Sequence, residues 1–174
     1  LDSRIQEAAN GAIRSALLAY DRRHGWRGAE ARIEMPPEPA PGFAQNALRD
    51  LHPLGGLLPA LVLEVDANAA VLALADGQEV TLELAGLRWA APYISVERRG
   101  ASPRKVSEVL APGDIVRLAR DAEGALELAQ IPQAQGAVVS LSAENGAILA
   151  LNGGFSFGLN LGIHLTQLTL LCLL

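Results

Sequence analysis

The spacing of hydrophobic positions changes twice along these 174 residues. Over residues 3 to 20, Ile5, Ala8, Ala9, Ala12, Ile13, Ala16, Leu17 and Tyr20 recur at steps of three and four, which predicts an amphipathic helix with one apolar stripe. Ser3 and Gln6 have the spacing of a capping box, and Gly25 is placed to stop the helix. A lone helix of that length is marginal in water, so the stripe requires a partner surface. Residues 34–57 then hold Pro and Gly at close intervals ("EMPPEPAPG", "HPLGG"). Pro removes backbone donors and bars the preceding residue from helix, so this stretch reads as an extended linker around a short helical candidate, "FAQNALRDL".

From Leu58 the period becomes two. Leu61, Leu63 and Val65 alternate with Val62 and Glu64, and "AAVLALADGQEVTLEL" sets Asp76-Gly77 between two strand-like runs. That dipeptide is a hairpin signal because both positions tolerate positive φ. Val80, Leu82 and Leu84 face one way; Glu79, Thr81 and Glu83 face the other. "KVSEVL" has room for one or two helical turns, and "APGDIVRLARDAEGALELAQIP" reads as turn, strand, turn, strand. Three strands, a short helix and two strands over residues 58–132 give the element order of a five-stranded Greek-key barrel of the OB type. "GAVVSLSAENGAILALNGG" predicts a last pair of strands about an Asn145-Gly146 turn, apolar on both faces and so suited to a covered sheet. The fold class expected is mainly β with a flanking N-terminal helix.

Composition narrows the functional classes. Hydrophobic residues at 50% and charged ones at 19% support a packed core, while aromatics at 4% make that core aliphatic. A net charge of −5 argues against nucleic acid as a partner, since phosphate contacts need clustered Lys and Arg. The short positive groups Arg22-Arg23 and Arg98-Arg99 with Arg104-Lys105 read as solvated surface. One cysteine, Cys172, excludes an internal disulfide, and His24, His52 and His164 lack ligand-like spacing, so no metal and no cofactor is expected. "LDSRIQEAAN" is not a secretory signal, and the apolar end of the chain, interrupted by Asn160, His164 and Gln167, is too short to span a bilayer; no direct membrane contact is expected. A start without Met reads as an excised or truncated piece.

Candidate chemistry is sparse. Acylation of a serine needs a hydroxyl beside a base and an oxyanion site opposite. The one Ser-x-x-Lys, Ser102 to Lys105 in "SPRK", has no Ser-x-Asn or Lys-Thr-Gly to join it and reads as chance. Carboxylates in "DGQE" and "AEN" sit at turns, where backbone geometry favours Asp and Asn. "LGG" and "NGG" lack a phosphate-cradling pattern. No catalytic residue is assigned. Trp89 and Tyr93, in "RWAAPYI", are the candidate partner contacts, because OB barrels bind through a sheet face and adjoining loops; the alternative for Trp89 is burial.

Three stretches, "LDSRIQEAANGAIRSALLAYDRRHGWRG", "DGQEVTLELAGLRWAAPYI" and "PQAQGAVVSLSAENGAILALNGGFSF", resemble the class A (bifunctional) penicillin-binding proteins of Gram-negative bacteria, the 1A type in particular. The resemblance covers about residues 1 to 157. It implies a peptidoglycan synthase on the periplasmic side of the inner membrane, with a glycosyltransferase and a D,D-transpeptidase that polymerise and cross-link the cell wall. Residues 1–33 would hold the first helix of the transpeptidase region, 34–57 the linker, 58–132 an inserted OB-like module, and 136–157 the first strands of the transpeptidase sheet. The helix 3–20 and the hairpin 136–154 would then lie together. The implied partners are the rest of the transpeptidase domain and an outer-membrane lipoprotein activator. From Gly158 the chain departs from the family, which continues to a Ser-x-x-Lys nucleophile; "GLNLGIHLTQLTLLCLL" (158–174) reads as an aberrant Leu-rich tail from a frameshift or sequence artefact. The chain is thus expected to be a non-catalytic structural or regulatory piece. The alternatives are a free-standing interaction module ending naturally in that tail, and a hydrolase using Ser102.

Overall fold

The computed structural model describes residues 2–121 and 123–156; the Leu-rich segment, with His164 and Cys172, lies outside them. In order the elements are α1 (Ser3–His24), β1 (Ala31–Arg32), α2 (Phe43–Leu48), β2 (Leu58–Val65), β3 (Ala69–Leu74), β4 (Glu79–Glu83), β5 (Tyr93–Ser95), β6 (Arg98–Arg99), β7 (Asp114–Arg120), β8 (Leu126–Ala129), β9 (Ala137–Leu141) and β10 (Ile148–Gly153). Short 3-10 helices occupy Leu84–Leu87 and Val106–Glu108. The chain divides into two compact units, one of Leu1–Tyr20 with Pro132–Leu174 and one of Asp21–Ile131.

In the first unit the helix and the β9–β10 hairpin lie together. Asp2 N donates to Leu149 O at 2.9 Å and Arg14 Nε to Phe155 O at 3.3 Å. Ile13 and Leu17, two residues of the apolar stripe, approach Gly136 closely, and with Ala9, Ala150 and Phe155 they are buried. The capping box is not formed. Asp2 Oδ1 accepts the amides of Arg4 and Ile5 at 2.9 and 3.4 Å, so the cap sits one residue earlier and carries a full charge. This releases Gln6, whose Nε2 donates to Leu151 O at 3.1 Å while its Oε1 accepts Leu151 N at 3.0 Å. The turn also differs from the two-residue form. Ser142 N donates to Ala147 O and Gly146 N to Ser142 O, closing a four-residue loop over 143–146. Gly146 has φ +72° but Asn145 has negative φ, and a two-residue type I′ turn requires both positive.

The second unit is a sheet ordered β4–β3–β2–β7, with β8 and β1 sharing the outer edge of β7; every pairing is antiparallel. The five long strands follow the order read from the sequence. β4 and β8 lie next to each other, yet among the described residues no ladder joins them, so the barrel's last seam is unzipped. Period two sorts side chains to opposite faces. Ala60, Val62, Ala70, Leu72, Leu74, Val116 and Leu118 enter the main core with Leu82, Leu87, Val106 and Leu128. Leu61, Ala73 and Ile115 face the other way, under Ala44 and Leu48 of α2. Leu72 and Leu118 are fully buried, each contributing about 1.5–3 kcal/mol. The β3–β4 loop has three residues, closed by Leu74 N to Gln78 O, with Gly77 alone at positive φ (+86°) because Asp76 uses its carboxylate to accept Gln78 N.

Candidate functional site

Within Asp21–Ile131 the two aromatic candidates part company. The 3-10 turn Leu84–Leu87 seats Leu87 in the core and delivers Trp89 half-buried. Its Nε1 donates to Leu128 O at 3.0 Å, its ring meets Trp26 edge to face at 5.8 Å and 82°, and the Arg22 guanidinium stands 5.6 Å from the ring centre. Arg22 is held by an ion pair with Glu127. Tyr93, by contrast, opens β5 with its side chain 39% exposed, beside Ile94 at 48% and Val96 at 67%. The base of that hairpin is fixed: Trp26 N donates to Ala91 O at 2.7 Å and Tyr93 N to Trp26 O at 2.8 Å. The bend into Trp26 needs Gly25, at φ +100°, where a Cβ would stand 2.6 Å from Ala91 O.

A groove of about 170 Å³ opens beside Trp26, where residues 26–30 pass along β7 next to β8. Its polar groups were not singled out in the sequence, because their partners are some 65 to 105 residues away or hidden in the helix end. Arg27 makes a two-bond pair with Asp21 (2.8 and 3.0 Å) and donates to Ile131 O at 2.9 Å. Gln130 accepts Arg27 N and donates to Gly25 O. Arg117, 3% exposed, pairs with Glu30 at 2.5 and 2.9 Å and donates to His52 O at 2.7 Å. Each charge meets its opposite, which is what burial demands. The arrangement fastens the strand entering the module.

Outside the groove, the Asp66 carboxyl is held below its usual range by the amides of Ala69 and Asn68 (2.8 and 2.6 Å), and Arg32 is raised by its bond to Asp114. Ser102 and Lys105 are both exposed in an irregular stretch, and Lys105 is extended (φ −137°, ψ 149°) where the 3-10 helix begins. They share no helix face, which the serine–lysine pair of an acyl-transfer site requires. Among the described residues no group of three His, Cys, Asp or Glu is placed to hold a metal, and no helix is long and apolar enough to cross a membrane.

Residues 26–134, more than half of the chain, match the penicillin-binding protein OB-like domain family. Penicillin-binding protein 1A of Pseudomonas aeruginosa is 38% identical over 159 residues, spanning 89% of this chain and 18% of the relative. That of Escherichia coli is 40% identical over 156 residues, 88% of this chain and 18% of the relative. The crystal structure of penicillin-binding protein 1A from Haemophilus influenzae superposes with a TM-score of 0.69 at 33% identity, covering 89% of this chain and 21% of that one. The chain therefore spans less than a fifth of the length of these curated relatives. On the strength of the family match and the shared fold, it belongs to the penicillin-binding proteins and carries their OB-like domain in its 1A form.

Proposed function

We propose that the chain works as a non-catalytic module of a peptidoglycan synthase, on the periplasmic side of the inner membrane of a Gram-negative bacterium. The observation that carries the reading is the OB-like domain match over residues 26–134 together with the similarity to 1A-type proteins on both sides of it. The role is mechanical and regulatory. The Arg27–Asp21, Gln130–Gly25 and Arg117–Glu30 contacts fasten the module's entry and exit strands at one place. The remainder of a transpeptidase domain is the partner for the first unit, whose hairpin exposes Val139, Leu141, Ile148 and Leu151. An outer-membrane lipoprotein activator is the partner for the module itself.

Intact mass after incubation with benzylpenicillin tests the non-catalytic role. No adduct is expected; an acyl mass mapping to Ser102 would overturn it and restore the hydrolase reading.

A further inference from the structure

The chain's charges are unevenly placed. Four of its fourteen Lys and Arg fall between Arg98 and Lys105, with only Glu97 and Glu108 among them as carboxylates through residue 108; the rest carries ten cations against seventeen anions. Arg98, Arg99, Arg104 and Lys105 are all exposed, and none enters an ion pair among the described residues, whereas Arg22, Arg27, Arg32 and Arg117 are each paired. Glu108 instead accepts the backbone amide of Arg104. Arg99 lies directly opposite Tyr93 in the β5–β6 ladder, so ring and guanidinium share one face. Ile94 in β5 and Val96 at the turn that follows are large apolar side chains left in water.

We propose that the strip from Tyr93 to Lys105 is a docking surface for a carboxylate-bearing glycan–peptide strand. This rests on the reading of the chain as a module of a peptidoglycan synthase, whose product is such a polymer. Guanidinium groups match carboxylates in a two-bond fork, the chemistry that free stem-peptide carboxylates offer. The Tyr93 ring, on the face it shares with Arg99, offers an apolar surface to the C–H groups of sugars, and the exposed Ile94 and Val96 side chains flank it for contact with alanine methyls. The cations follow one another along the chain, with Arg104 five residues past Arg99 and so within about 18 Å of it, which suits a linear polymer with recurring carboxylates. A lipid surface fits less well, because Glu97 sits at the hairpin tip beside Val96 and would be carried into the headgroups with it. Four cations on a chain of net charge −5 are too few for a phosphate backbone.

The test is co-sedimentation of the full chain with purified insoluble peptidoglycan, against the same material with its carboxylates amidated and against phosphatidylglycerol vesicles. Binding to native peptidoglycan is expected, lost on amidation and lost at about 1 M salt, where the screening length is about 3 Å. Arg98→Glu with Arg99→Glu is expected to weaken it about tenfold, the size of two exposed ion pairs turned repulsive. Ile94→Ser with Val96→Ser, which leaves the charges in place, is expected to weaken it severalfold, and far-ultraviolet circular dichroism checks that both variants fold. Binding that ignores amidation, or that persists in the charge-reversed protein, overturns the proposal; so does binding to the vesicles alone. Each of these results leaves the benzylpenicillin mass unchanged, so failure here is distinguishable from failure of the non-catalytic reading.

Discussion

Replacing Trp89 by Phe separates a structural indole from one kept for a partner. In the fold the Nε1–H bond to Leu128 O is worth about 1 kcal/mol net, and removing it strands a carbonyl on a fully buried residue, for a total of about 1–2 kcal/mol. The edge-to-face contact with Trp26 is largely kept by a phenyl ring, but the Arg22 guanidinium loses the better π-face, about 0.5 kcal/mol more. The expected loss is thus about 1.5–2.5 kcal/mol, and Trp89→Ala, which also opens a cavity, reaches about 3–5 kcal/mol. Urea unfolding followed by tryptophan fluorescence reads this directly, because Trp26 and Trp89 are the chain's two tryptophans and both lie in Asp21–Ile131. The midpoint should fall with the slope unchanged. A loss under about 0.5 kcal/mol for Trp89→Phe, the usual range of an idle surface site, would refute the structural assignment and return Trp89 to the partner surface.

Three further outcomes follow from the same geometry. Because the Asp66 carboxyl titrates below its usual range, it favours the folded state above the unfolded pKa of about 4, and that benefit vanishes as pH falls through the lowered folded value. Asp66→Ala should therefore be less stable than the parent at neutral pH and equal to it at the acid limit, read from urea midpoints across pH; a gap that persists there would place the effect elsewhere. Gly25→Ala forces a Cβ into the left-handed region and against Ala91 O, so it should cost about 3 kcal/mol or more in thermal unfolding. Amide exchange should show the deepest protection in β2, β3 and β7 and weaker protection in β9 and β10, whose side chains are mostly exposed or half-buried; equal protection would show that the hairpin shares the module's cooperative unit.

Much of the fold was legible because period and length agree. The alternating runs of β2 to β4 and the Gly25 stop rest on local chemistry that the tertiary structure leaves in force, while of the α1 stripe only Ala9, Ile13 and Leu17 are buried, with Ile5 half-buried, and Ala8, Ala12, Ala16 and Tyr20 are exposed. Where the sequence misled, a second local option won. Asp2 capped the helix one residue before Ser3, taking the amides of Arg4 and Ile5, and Asn145 kept negative φ, giving a longer loop than Asn-Gly suggests. The groove was illegible for a different reason. Nothing local marks Arg117 for burial, yet it is buried because Glu30 and the His52 carbonyl, 87 and 65 residues away, meet it there. Trp89 and Tyr93 look alike in the sequence as rare aromatics four residues apart, and only the third dimension turns one inward onto Leu128 and the other outward.

The two units differ in self-sufficiency, and the reason is where their alternating residues go. In the module both faces of the central strands have an apolar destination: Val62, Leu72 and Leu118 enter the main core, while Leu61, Ala73 and Ile115 are sealed by α2. The hairpin of the first unit has only one such destination. Ala150 is buried, but Val139, Leu141, Ile148 and Leu151 stand between 37% and 57% exposed. A sequence apolar on both faces commits a sheet to being covered on both, and no described element of this unit supplies the second cover. In the relatives, of which the matched part of this chain makes up 18%, there is chain enough to supply it. Among the described residues the hairpin thus leaves one apolar face open, whereas the OB-like module covers both faces of its central strands.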